Sequence, residues 1–218
     1  MPTPGRPLPA TIARVVEHEL AVKRSRFLTR LVPVPDVAAA DAAVAAVRKE
    51  HWDARHHCVA LIVGTHADQQ RSSDDGEPSG TAGVPMLEVL RQRDVTDVVA
   101  VVTRWFGGVL LGAGGLVRAY STSVSEALDT APLVRRAVRT EVTLDAPHAE
   151  AGRLHGVLQS WADAHDAVLA GVGYADTARF TLLVAPTDLD RFDADVAAAT
   201  AGSLTAERGA DRVVDLDR

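Results

Sequence analysis

Five glycines lie close together between two arginines, and this spacing is typical of a loop that binds a phosphate. A strand that breaks at glycines and restarts as a helix leaves unpaired backbone N–H groups at the helix start, where the helix dipole adds partial positive charge. Such a junction suits an anion, and Arg104 and Arg118 lie on either side of it. The same pattern is also typical of tight backbone packing, so both interpretations stay open. The glycines are Gly107, Gly108, Gly112, Gly114 and Gly115.

The glycine loop fails the two common phosphate-binding fingerprints. A Walker loop requires Lys followed by Ser or Thr after its last glycine, whereas Ala113 follows Gly112. The dinucleotide fingerprint requires a third glycine at the position of Val117. The loop is therefore neither an ordinary ATPase loop nor a Rossmann turn.

A second unusual segment carries three carboxylates, Asp74, Asp75 and Glu77, on a turn next to Pro78. These oxygens could coordinate Mg²⁺, form a solvated acidic turn, or hold one of the arginines at 26, 104 and 118 in place. The spacing of a helix-loop-helix calcium site is absent. We therefore predict no cofactor and keep Mg²⁺ as an alternative. The Gly-Thr-Ala-Gly stretch at 80–83 could also hold an anion; the alternative is that Thr81 simply caps the next helix.

Two further groups could contact a nucleic acid. His56 and His57 are adjacent, so on a strand they point to opposite faces, which argues against a zinc site. One imidazole could contact a phosphate or act as an acid or base, or a nearby carboxylate could simply hold it. Arg26 precedes Phe27, and such a pair can hold a phosphate and stack a base, although a core position for Phe27 is the alternative.

The hydrophobic pattern indicates the elements that would position these residues. In the first part it predicts strands over 11–19, 23–34, 57–64 and 98–104, and helices over 36–50, 81–92 and 115–129. In the second part it predicts strand 136–144, helix 148–165, a hairpin of 167–174 with 178–184, helix 188–200 and strand 211–216. This second order is the split βαβ plan. We predict a disordered lead-in over 1–10 and domains over 11–131 and 135–218.

The composition is that of a globular protein, with 47% hydrophobic and 24% charged residues. The single cysteine, Cys58, excludes an internal disulfide framework and favours a cytoplasmic location. The net charge is −6, but residues 1–135 carry 15 basic and 15 acidic side chains, whereas residues 136–218 carry 8 and 14. A polyanion would therefore meet the first part.

Four motifs resemble the IMPACT/YigZ family in order and spacing: SRF at 25–27, DARHHCVA at 53–60, SDDGEPSGTAGVPML at 73–87 and RWFGGVLLGAGGLVRAY at 104–120. The resemblance implies an α+β protein with a ribosomal protein S5 domain 2-like N-terminal domain and a ferredoxin-like C-terminal domain. The same two folds follow each other in the translocase EF-G. It also implies a role in translation, since eukaryotic relatives compete for the activator of a nutrient-sensing kinase of the initiation machinery.

The leading hypothesis is a non-enzymatic regulator of translation that binds RNA or the ribosome through its N-terminal domain, with a translation-factor protein as a further partner. Phosphate contacts would come from the loop glycines and from Arg26, His56, His57, Arg104 and Arg118 on one face. Asp74, Asp75 and Glu77 would support the arginines. Two alternatives stay open: an enzyme or sensor that binds a nucleotide or phosphorylated small molecule at the glycine loop, and a pure protein-interaction module.

Overall fold

The computed structural model describes residues 8–216, which divide into two compact α+β units. The first unit contains residues 8–136 and 215–216, and the second contains Ala137–Val214. Of the predicted lead-in, residues 1–7 lie outside the described residues, and Ala10 forms a parallel bridge with Val95. No helix within residues 8–216 is both long and apolar enough to cross a bilayer.

The first unit is a five-stranded antiparallel sheet with helices on both faces. Its elements are β1 (Thr11–Ile12), β2 (Val16–Val22), β3 (Ser25–Pro33), α1 (Val37–Glu50), β4 (His56–Val63), β5 (Gln69–Ser73), α2 (Gly83–Gln92), β6 (Val98–Trp105), α3 (Ala113–Thr130) and β7 (Leu133–Val134). The sheet order is β2-β3-β6-β4-β5, and β1 pairs separately with β7.

The two central strands explain why helices cover both faces. Residues of β4 alternate between two cores: Cys58 packs with α2 and α3, whereas Val59 packs with α1. Strand β6 alternates in the same way, so its apolar run from Val98 to Val102 is buried on both sides. A continuous apolar run of this length is typical of a strand with two covered faces.

Two predicted strands of the first unit differ from the observed strands by more than one residue at an end. The strand predicted over 11–19 is divided, because Thr11–Ile12 pairs with β7 while Val16–Val22 pairs with β3, and the chain bends between them. The strand predicted from Lys23 begins at Ser25. Lys23 and Arg24 form a turn with φ of +45° and +69°, a conformation outside the strand region.

Two predicted helix starts are also wrong. Helix α3 begins at Ala113, not Gly115, because Gly112 at φ +72° is its N-cap residue. Helix α2 begins at Gly83 with Ala82 at the N-cap, and the Thr81 hydroxyl donates instead to the carbonyl of Pro78.

The second unit follows the predicted order of elements. They are β8 (Arg136–Ala146, which begins in the first unit), α4 (Ala151–Ala164), β9 (Val168–Tyr174), β10 (Ala178–Val184), α5 (Leu189–Ala199) and β11 (Glu207–Asp215, which ends in the first unit). The sheet order is β11-β8-β10-β9. The core of this unit joins sheet residues such as Phe180 to Leu154 of α4 and Phe192 of α5.

Candidate nucleic-acid interface

Three loops of the first unit meet at one end of its sheet. Strand β6 ends at Trp105, and its neighbours β3 and β4 both run antiparallel to it. The turn before β3, the turn before β4 and the glycine loop after β6 therefore lie at the same end. The candidate residues of the sequence motifs converge here because of this topology.

The predicted single face does not exist, because side chains alternate along a strand. Phe27 pairs with Arg104 and belongs to the core under α2 and α3, and His56, which also pairs with Arg104, shares that side of the sheet. The next pair, Arg26 with Trp105, points to the opposite side, where α1 lies. There the Trp105 ring contacts that of His51, the C-cap residue of α1. His57 lies on this α1 side as well, so the histidines and the arginines are divided between two faces.

Arg104 is a buried residue and not a surface charge. Its Nη1 donates to Glu77 Oε1 at 2.6 Å, and the two side chains are only 6% and 3% exposed. The Tyr120 hydroxyl donates to the same oxygen at 2.8 Å. Glu77 therefore contacts the arginine directly, inside the protein.

Asp74 serves as the anion at the start of α2. Its carboxylate accepts hydrogen bonds from the backbone N–H groups of Gly80 at 2.8 Å, Ala82 at 3.0 Å and Gly83 at 2.8 Å. Burial alone would raise the pKa of Asp74, but these three donors outweigh burial and lower it. The anion site proposed for residues 80–83 is thus filled by the chain itself.

Asp75 joins α1 to the start of β4. Its carboxylate accepts from Arg48 Nη2 at 2.8 Å and from the His57 N–H at 2.7 Å, and its carbonyl oxygen lies 2.9 Å from His56 Nδ1. Burial lowers the pKa of His57, which favours the neutral imidazole. In the part of the chain that the structure describes, no cluster of three or more His, Cys, Asp or Glu side chains has a metal-binding arrangement.

The glycines of the loop have separate roles. A Cβ atom on Gly107 would overlap the backbone carbonyl of Arg24. The two backbone segments lie so close together that only glycine fits at this position. Gly108 and Gly112 have φ of +82° and +72°, where glycine is strongly favoured. Gly114 and Gly115 belong to the first turn of α3.

A pocket of about 340 Å³ lies at the start of α3. Arg55, His56 and Arg104 contribute polar groups, while Phe106 and Leu110 form part of an apolar wall. Gly112 has no side chain to cap the helix, so the first turn keeps its N–H groups for water or a ligand. This arrangement can accept an anion beside an aromatic ring.

Cations without an ion pair concentrate at the same end of the sheet. Within residues 8–216, the Lys and Arg side chains that have no carboxylate within 4.0 Å are Arg14, Lys23, Arg24, Lys49, Arg55 and Arg118. All except Arg14 lie on the three converging loops or on the adjoining turns of α1 and α3. We call these five exposed residues the cationic end.

Sequence reasoning included Arg118 in this set but missed Lys49 and Arg55. Lys49 belongs to no motif, and Arg55 lies in the DARHHCVA motif at 53–60 but far from Lys23 in sequence. The sheet topology brings these cations to one end. The aromatic residue was predicted wrongly: Phe27 is fully buried in the core and cannot stack a base, so its alternative core position is the correct one. Trp52 is 82% exposed, and the Arg26 guanidinium carbon lies 3.7 Å from the centroid of the Trp105 ring.

Comparisons with known proteins cover both units. Residues 23–128 match the family model for the Impact N-terminal domain, and residues 153–203 match a domain of unknown function (DUF1949). IMPACT family member YvyE of Bacillus subtilis is 37% identical over 199 residues, which are 91% of this chain and 90% of the relative. IMPACT family member YigZ of Escherichia coli is 46% identical over 153 residues, or 69% and 74% of the two chains.

More distant and structural matches agree. Protein IMPACT of Bos taurus is 34% identical over 104 residues, 44% of this chain and 32% of the relative. A solved structure described as a crystal structure of an hypothetical protein is 36% identical, with a TM-score of 0.60, and covers 92% of this chain and 97% of its own. The resemblance drawn from the four motifs is therefore confirmed: the chain belongs to the IMPACT family.

Proposed function

We propose that this protein acts in translation by binding RNA or the ribosome through the cationic end of its first unit. Family membership supports a link to translation in broad terms. The element orders of the two units are compatible with the S5 domain 2-like and ferredoxin-like folds that the resemblance implies, and we propose those assignments too. We assign no catalytic step to the chain.

The observation that carries the proposal is the grouping of the unpaired cations. Most arginines of the described chain contact a carboxylate, and paired charges add little to a long-range field. Five exposed cations at one end of a protein with net charge −6 leave a local positive region, which suits a phosphate backbone. The acidic second unit would not compete for the same polyanion.

The test compares two double variants of equal charge. Arg55→Ala with Arg118→Ala removes two members of the cationic end. Arg14→Ala with Arg191→Ala removes two exposed arginines elsewhere, one at the opposite end of the sheet and one in the second unit. Arg104 is unsuitable as a test, because its loss would leave Glu77 buried and unpaired.

Co-sedimentation with ribosomes and binding to total RNA are measured across a salt series. We expect wild type to lose affinity steeply with salt, and the slope of log K against log[salt] to fall by about 0.7–0.9 for each phosphate contact removed. The control pair should keep the wild-type slope. No binding at low salt, or equal losses in both variants, would overturn the proposal.

The pocket at the start of α3 favours a second candidate, the binding of a nucleotide or phosphorylated small molecule. Its uncapped helix start and its Phe106 wall would suit a phosphate and a base. A thermal-shift screen with nucleotides and Mg²⁺ should then show saturable stabilisation. Stabilisation by mononucleotides without any ribosome association would favour this candidate. A defined protein partner whose affinity is unchanged by substitutions in the cationic end would instead favour a protein-interaction module.

A further inference from the structure

At the same end of the sheet as the cationic end, the Arg26 side chain lies as a layer over the Trp105 ring. The two residues pair across β3 and β6, and the guanidinium carbon lies 3.7 Å from the ring centroid. The Trp105 indole N–H donates to Asp53 at 2.8 Å, and the His51 ring meets it edge-on with 5.4 Å between centroids. The tryptophan is therefore held in a fixed orientation from two sides.

The arginine above this ring remains accessible. Its side chain is 47% exposed, and its only carboxylate partner in the described chain, Glu19, lies 3.8 Å away with 52% exposure. An exposed pair at this distance contributes little and does not neutralise the site. One face of the Arg26 guanidinium lies against the fixed Trp105 ring, so its other face is open to a planar ligand.

We propose that this layer is a base-stacking subsite for single-stranded RNA, an inference that rests on the proposed function. Nucleobases stack on arginine guanidinium planes as well as on aromatic rings. A duplex offers no free base faces in its interior, so the subsite accepts an unpaired base. Lys23, Arg24, Lys49 and Arg55 lie at the same end of the sheet and would contact the flanking phosphates, and Arg118 lies on α3.

Trp52 provides a second aromatic surface next to the first. It is 82% exposed and lies between His51 and Asp53 in the chain, both of which contact Trp105. A large aromatic side chain with this exposure has no packing role within the described unit. A base that follows the first along the strand would stack on it.

The decisive variant is Arg26→Lys, which keeps the positive charge and removes the planar guanidinium group. Its matched control is Arg14→Lys, because Arg14 is an exposed cation outside the cationic end and has no aromatic partner in the described chain. Affinity for a labelled single-stranded oligonucleotide and for a duplex of the same sequence is measured by fluorescence anisotropy at fixed salt. A third variant, Trp52→Phe, tests the neighbouring surface without disturbing the core.

We expect single-stranded RNA to bind wild type at least about fivefold more tightly than the duplex. Arg26→Lys should lose about fivefold in affinity, while Arg14→Lys should change little. Intrinsic tryptophan fluorescence should be quenched by the single strand, less so in Trp52→Phe. Equal affinities of Arg26→Lys and wild type, or duplex binding as tight as single-strand binding, would overturn the stacking subsite and leave the proposed function standing. Absence of binding to any RNA and to the ribosome would overturn both.

Discussion

Arg104 and Glu77 form an ion pair inside the first unit, with 2.6 Å between Nη1 and Oε1 and almost no exposure of either side chain. The guanidinium also lies 5.3 Å from the Phe27 ring centroid, within cation–π range. The pair joins the end of β6 to the turn that carries Asp74, Asp75 and Glu77. It therefore stabilises the buried side of the candidate interface.

Arg104→Ala should therefore lower the free energy of unfolding by about 3–5 kcal/mol, because it leaves the Glu77 carboxylate buried without its cation. Urea denaturation measures the loss. Arg118→Ala, at an exposed position on α3, should stay within about 0.5 kcal/mol of wild type. Similar losses in both variants would contradict a special role for the buried pair.

Two glycines of the loop should respond in opposite directions to alanine. Gly107→Ala forces a methyl group into the Arg24 carbonyl and should cost about 1–3 kcal/mol or more. Gly114 is helical, and beyond its chain neighbours and its own helix backbone the methyl group of an alanine there would meet no atom within 4 Å. Gly114→Ala should therefore gain about 0.5–1 kcal/mol. Thermal unfolding of the two variants beside wild type gives the signs, and a gain for Gly107→Ala would contradict the close contact.

The lowered pKa of Asp74 predicts a dependence of stability on pH. The carboxylate is held in its charged form in the folded protein, so its contribution is complete above the ordinary aspartate pKa of about 4 and is lost as the pH falls through the lower folded value. In Asp74→Asn this loss should be absent, and the variant should be less stable at neutral pH. Denaturation curves between about pH 2 and pH 7 measure both effects.

Asp176→Asn, in the exposed turn between β9 and β10, provides the control. It should keep the acid-dependent loss of the wild type. If the stability of Asp74→Asn falls with pH in the same way as that of this control, the hydrogen bonds to Asp74 do not cause the loss of stability in acid.

Cys58 should resist alkylation in the folded protein. Burial raises the pKa of its thiol to about 12, so almost no thiolate exists near neutral pH, and the side chain is also inaccessible. Iodoacetamide should label the protein rapidly in denaturant and very slowly without it, as followed by mass spectrometry. Rapid labelling of native protein would show that β4 opens easily.

Local patterns are enough to predict much of this molecule. The apolar run of β6, the glycines after it and the periodic helix that follows are all visible in the sequence, as is the order of elements in the second unit. Strand β5 is missed because Gln69–Ser73 is polar and mostly exposed, so it carries no hydrophobic alternation. Its strand conformation comes from pairing with β4, which is a tertiary effect.

The candidate site is harder to predict for the same reason. The sequence suggests a metal ligand, a surface charge or an arginine partner at Asp74, and it separately suggests an anion site at residues 80–83. It does not indicate that the Asp74 carboxylate is the anion that these backbone N–H groups bind. Arg26 and Arg104 are predicted to share one face, yet Arg104 pairs with Phe27 and Arg26 with Trp105, which places them on opposite sides of the sheet. Pairing register, not residue type, determines which arginine faces solvent.

The carboxylate of Asp74 also has a consequence for chemical complementation. Three N–H donors converge on a space that the chain fills with its own side chain, so Asp74→Gly would leave a cavity suited to a small free carboxylate. Formate or acetate added to that variant should restore part of its stability, while chloride should restore less. The acidic turn would then behave as an intramolecular ligand that can be replaced by one from solution.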